Sequence, residues 1–122
     1  MVKSATVMER EVRERMRGGA GSVEIRHVFR REELGGGARL FARLCLPPGA
    51  SIGHHVHEAE EEVFYILAGR GVVTEDGVAT EVGPGDAVLT GGGGGHALEN
   101  RGTEPLELVA VILNRRAAGE AR

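Results

Sequence analysis

No tryptophan occurs in the 122 residues, tyrosine occurs once and phenylalanine three times. Whatever core the chain builds must therefore be packed with aliphatic side chains. Cys45 is the single cysteine, which excludes an intrachain disulfide and gives no support to secretion. Positive charge is not in excess: fifteen Lys and Arg face eighteen Asp and Glu, a formal net charge of −3. Such a chain lacks the field that draws in phosphate backbones or anionic lipid, so neither a nucleic-acid nor a membrane partner is expected. No apolar run reaches the length of a bilayer span. The N-terminal MVKSATVMEREVRERMRGG is charged throughout, unlike a signal peptide. The expected location is the cytoplasm. There is no internal repeat, and the length suits one domain with a single core.

Glycine is the opposite case, with twenty residues. Because glycine alone enters φ > 0 cheaply, so many imply frequent tight turns and short strands. Alternation marks strands at Val23–Phe29, Arg39–Leu46 and Glu62–Leu67. Val72–Glu75 and Val78–Val82 flank Asp76-Gly77, a pair suited to a two-residue hairpin turn. Ala87–Leu89, His96–Asn100 and Leu106–Leu113 follow, with Gly83-Pro84-Gly85-Asp86 as a further turn. Short strands with turn chemistry between them predict an all-β sandwich or barrel. Residues 1–20 are read as an N-terminal arm, 21–114 as the barrel domain and 115–122 as a frayed tail. Met8, Val12 and Met16 have helical spacing within the arm, but a loose, flexible arm ending at Gly18-Gly19 is the preferred reading.

Residues 54–69, HHVHEAEEEVFYILAG, hold three of the five histidines beside three consecutive glutamates. On an extended segment His55 and His57 leave the same face and can share one metal ion. Glu62 opens the next strand after the chain turns back, where its carboxylate can meet the same ion. Imidazoles with a carboxylate suit a divalent first-row ion without selecting strongly among them.

These residues resemble the cupins. The first cupin motif, G-x5-H-x-H-x3-4-E-x6-G, is filled by Gly49, His55, His57, Glu62 and Gly69. The second, G-x5-P-x-G-x2-H-x3-N, is filled by Gly85, Gly93, His96 and Asn100, with Gly91 in place of proline. The resemblance implies a small double-stranded β-helix, or jelly-roll, barrel in which His55, His57, Glu62 and His96 bind one metal ion. Manganese, iron, cobalt, nickel, copper and zinc all fit that donor set. Ile52, Phe64, Ile66, Leu98 and Asn100 are expected to share the cavity with the metal. The stretch around the first motif is similar to small single-domain bacterial cupins described as mannose-6-phosphate-isomerase-like, a label that does not establish sugar isomerisation. A phosphosugar site would need convergent Lys or Arg, and none is evident.

Other residues are assigned structural roles. Glu61 would point away from Glu62 on a regular strand. His54, Glu58 and Glu60 read as solvated at the loop mouth, where the acidic cluster offsets the ion's charge. His27 reads as a strand histidine with a satisfied hydrogen bond, Cys45 as a buried small side chain, and Tyr65 as outward packing. Arg39, Phe41, Arg43 and Cys45 form a face for solvent or a partner subunit, with a substrate-binding arginine as the alternative. Gly91–Gly95 lacks the GK[ST] of a phosphate-binding loop and reads as a flexible loop carrying His96. Three functions fit: an enzyme acting on a carbonyl- or carboxylate-bearing small molecule by oxidative cleavage, decarboxylation, isomerisation or cyclisation; a non-catalytic module binding a metal and a small carboxylate such as oxalate; or a structural metal. No general base is evident in the cavity. A homodimer is expected under all three, with the N-terminal segment as the pairing edge.

Overall fold

Asp76 and Gly77 take φ of 48° and 78°, the double left-handed turn that their sequence requires. The hairpin they close belongs to a computed structural model that describes residues 1–114. The tail expected at 115–122 lies outside the described residues.

Among the described residues ten strands form in chain order: β1 (Glu9–Glu14), β2 (Ser22–Phe29), β3 (Ala38–Leu46), β4 (Ser51–Val56), β5 (Glu60–Ala68), β6 (Gly71–Glu75), β7 (Val78–Val82), β8 (Ala87–Gly91), β9 (Gly95–Glu99) and β10 (Leu106–Asn114). They build two antiparallel sheets, ordered β1-β2-β3-β10-β5-β8 and β4-β9-β6-β7, an all-β arrangement consistent with a jelly roll. Alternating residues of β3, β5 and β10 face the other sheet, among them Leu44, Phe64, Ile66, Leu108 and Ala110, each no more than 1% exposed. Phe64 is the one aromatic residue in that core cluster; the rest is aliphatic, as the composition requires.

The N-terminal arm is a correction. Glu9–Glu14 is neither helical nor loose but pairs antiparallel with β2, Glu11 opposite Ile25 and Arg13 opposite Val23. A helix would have stacked Met8, Val12 and Met16 on one face, yet Val12 is 64% exposed and finds no apolar partner surface. The strand satisfies its backbone on the open edge of β2 and adds cross-strand polar pairs, Arg10 to Glu24 at 2.7 Å and His27 to Glu11 at 2.8 Å. That edge is a tertiary feature, invisible to local spacing.

Two bulges change which side chains face the barrel interior. Ala38 pairs with Leu113 and Leu40 with Ile112, so Arg39 is an extra residue in the ladder. On β4, Ile52 pairs with Leu98 but His55 pairs with His96, which puts one extra residue between them. Side-chain parity changes there: Ala50 and Ile52 face inward, and after the bulge it is His55 and His57 that do.

Candidate metal centre

The bulge in β4 sets His55 directly across from His96 of β9, while Glu62 reaches the same point from β5 of the other sheet. One donor atom from each of His55, His57, Glu62 and His96 lies within 4.8 Å of the others. His57, Glu62 and His96 are 1%, 5% and 0% exposed, so this polar cluster sits inside the barrel. Phe64 stacks on His96 with ring centroids 4.7 Å apart, fixing the imidazole plane.

The ring nitrogens are divided by role. Each Nδ1 is tied outward: that of His55 donates to the Gly53 carbonyl at 2.8 Å, that of His57 to Glu60 at 2.9 Å, and that of His96 to Thr90 Oγ1 at 3.0 Å. Thr90 gives its own proton to Glu75 at 2.7 Å, so its oxygen must accept from His96. Each Nε2 is left with a lone pair directed inward. Those of His96, His57 and His55 lie 2.8, 2.9 and 3.4 Å from the same Glu62 oxygen, and the Nε2 atoms of His55 and His96 are 3.1 Å apart. Lone pairs and an anionic oxygen crowded together out of water repel one another unless a cation lies among them. The donor set therefore fits a divalent metal ion, with outer partners holding each ligand in the metal-binding tautomer.

Electrostatics agree. Burial pushes Glu62 upward, but the imidazoles of His55, His96 and His57 beside it outweigh burial and bring the carboxyl down to about 2. Glu60 is also held at about 2, first by its hydrogen bond from Arg39. That contact is bidentate, with Nε at 2.6 Å and Nη2 at 2.7 Å.

A cavity of about 220 Å³ opens beside the ligands. Ile52 and Phe64 line it. Ile66 and Leu98, each 1% exposed, belong to the aliphatic core and not to that lining. Asn100 is also elsewhere. Its amide donates to the carbonyls of Leu46 and Glu104, both at 2.9 Å, and its oxygen accepts from Gly102 at 2.9 Å. All its capacity goes into holding a turn.

Several residues take parts other than the ones preferred from the sequence. Glu60, expected to be solvated, is the outer partner of His57 and is locked by Arg39. Arg39 lines the cavity because the bulge at its position turns it from the outer face. Arg13, Arg17 and His27 also line it, so cationic groups converge here after all. His27 does have the satisfied hydrogen bond expected of it. Thr90 and Glu75 carried no signal, since they meet His96 only through tertiary pairing. Cys45 is half-buried and not in the core. The glycine loop grips the site: Gly93 N–H donates to the His57 carbonyl at 2.9 Å and His57 N–H to Gly94 at 3.0 Å.

With that geometry in place, comparison with known proteins is informative. The family model described as a cupin domain matches residues 42–112. The oxalate-binding protein of Thermotoga maritima is 47% identical over 98 residues, which cover 80% of this chain and 81% of that protein. A T. maritima crystal structure described as a predicted oxalate decarboxylase superimposes with a TM-score of 0.89 at 43% identity, covering 93% of this chain and 99% of the other. A sugar phosphate isomerase structure from Silicibacter pomeroyi shares the fold, with a TM-score of 0.72 at 20% identity over 93% of this chain and 76% of that one.

Proposed function

The chain belongs to the cupin family, and on that premise we propose that it binds a small dicarboxylate of the oxalate type at a metal ion held by His55, His57, Glu62 and His96. The observation that carries this reading is the convergence of the three Nε2 lone pairs on one carboxylate oxygen while each Nδ1 is tied outward. A divalent first-row ion bound there supplies a Lewis-acidic centre for carboxylate oxygens. The chain's own contribution is shape and charge. A cavity of about 220 Å³ is smaller than the roughly 300–1,000 Å³ typical of drug-sized ligands, and Ile52 and Phe64 give it dry walls. Arginines on the same lining favour an anion. The T. maritima relative named for oxalate binding supports the ligand class.

Binding is favoured over turnover because Glu60, the carboxylate behind His57, is tied up by a bidentate contact with Arg39 and does not line the cavity. A second reading, an enzyme such as a decarboxylase, is supported by His27, an imidazole on the cavity wall hydrogen-bonded to Glu11. We further propose a cytoplasmic homodimer.

Metal analysis of untagged protein beside a His96→Ala variant, followed by calorimetric titration with oxalate before and after chelation, tests the proposal. One equivalent of a divalent ion, lost in the variant, and oxalate heat only in the metal-loaded protein are expected. Absence of metal after reconstitution, or heat that survives chelation, refutes it. Oxalate consumed with release of formate and carbon dioxide selects the enzyme. A chelation-dependent fall in melting temperature without any ligand response selects a structural metal.

A further inference from the structure

We infer that the segment Arg15–Gly19 is a fixed wall of the ligand cavity, and that Arg17 on it recognises the outward oxygens of a dianion chelated at the metal. This rests on the metal-dependent binding proposed above. Arg15 and Arg17 have φ of 48° and 54°, a left-handed conformation that non-glycine residues seldom adopt. Two such residues within three positions persist only where their surroundings hold them.

The surroundings do so. Arg15 N–H donates to Gly21 at 2.8 Å, Gly19 N–H to Met16 at 2.9 Å, and Ser51 N–H to Ala20 at 2.9 Å. Ala20 N–H donates in turn to Ser51 Oγ at 2.8 Å. Backbones also meet directly. A Cβ on Gly19 would lie 2.1 Å from the Ser51 carbonyl oxygen, and a Cβ on Gly53 would lie 2.1 Å from that of Arg17. Glycine at both positions lets the segment seat against β4, the strand that carries His55. It is a docked element at the site.

The cavity runs from the buried ligands to the exposed Arg13 and Arg17. The three arginines on its lining differ in commitment. Arg39 is held by Glu60 and Arg13 by Glu11. Arg17 has no ion-pair partner among the described residues. An arginine without an ion pair among the described residues thus lines the same small cavity as His55, His57 and Glu62. Oxalate chelated through one oxygen of each carboxylate presents its other two side by side, which suits the parallel N–H groups of a guanidinium. Glycolate chelates through one carboxylate oxygen and its hydroxyl, and offers only one outward oxygen.

Calorimetric titration of metal-loaded wild type, Arg17→Ala and Arg17→Lys with oxalate and with glycolate tests the assignment. Arg17→Ala should retain its metal, bind oxalate about 10- to 100-fold more weakly and lose most of the preference for oxalate over glycolate. Arg17→Lys should recover part of both. Unchanged oxalate affinity and selectivity in Arg17→Ala overturns the role of Arg17 alone. No oxalate response in metal-loaded wild type sinks the binding reading, and this inference with it.

Discussion

Each imidazole of the candidate metal centre is held by a different kind of acceptor. His55 uses a carbonyl, His57 a carboxylate and His96 a hydroxyl. The hydroxyl is the easiest to remove without disturbing shape, because valine replaces threonine almost isosterically. Thr90→Val leaves the His96 Nδ1 proton without an acceptor and frees the ring to change tautomer. Metal affinity should fall by about 10- to 100-fold, read by competition with a chromophoric chelator, while the melting temperature of metal-free protein changes little. Unchanged affinity would mean that stacking by Phe64 alone fixes the ring. The four candidate ligands were legible because the two motifs state them by spacing. Thr90, Glu75 and Arg39 were not, because each approaches the site across a strand pairing or through a bulge. Asn100 was misplaced for a related reason: its position in the motif is plain, but its purpose is a turn.

Strands carry a different kind of information. Alternation marked most of them, and Asp76-Gly77 announced its hairpin, yet the parity change in β4 has no local signature. A regular β4 would keep Ile52 and His55 on opposite faces; the bulge lets one wall present both. The case of β1 is similar, since its value lies in the unpaired edge of β2. Its tether is partly titratable. The hydrogen bond from His27 is the main cause holding Glu11 below its ordinary 4.5, assisted by Arg13 and opposed by burial. A carboxyl depressed in the folded state stabilises fully above its unfolded value, and that contribution is lost as pH falls through the folded one. Amides of residues 9–14 should therefore lose exchange protection, relative to those of β10, as pH drops below 4.5. Equal protection ratios above and below that pH would show that the ladder alone holds β1.

At the scale of the molecule, the six-stranded sheet has an outer face that the described chain leaves open. Phe41, Val111, Val63 and Leu89 lie opposite one another across four strands, with Val109 and Tyr65 beside them. Leu89 and Tyr65 are 62% and 47% exposed. This apolar row suits a second copy better than the free edge of β1, whose EREVRE sequence resists pairing by charge. Light scattering should give twice the 12.9 kDa chain mass, and a Tyr65→Asp/Leu89→Asp variant should return to the monomer. A monomeric wild type removes the dimer. The same sheet also has a history in time. β10 lies between β3 and β5 but emerges from the ribosome after both. Until it arrives, the two strands that will flank it have unsatisfied edges, and the sheet cannot close. Folding should therefore wait on a long-range insertion and be slow for a chain of this size. During synthesis, the vulnerable surface is the gap at the centre of the sheet.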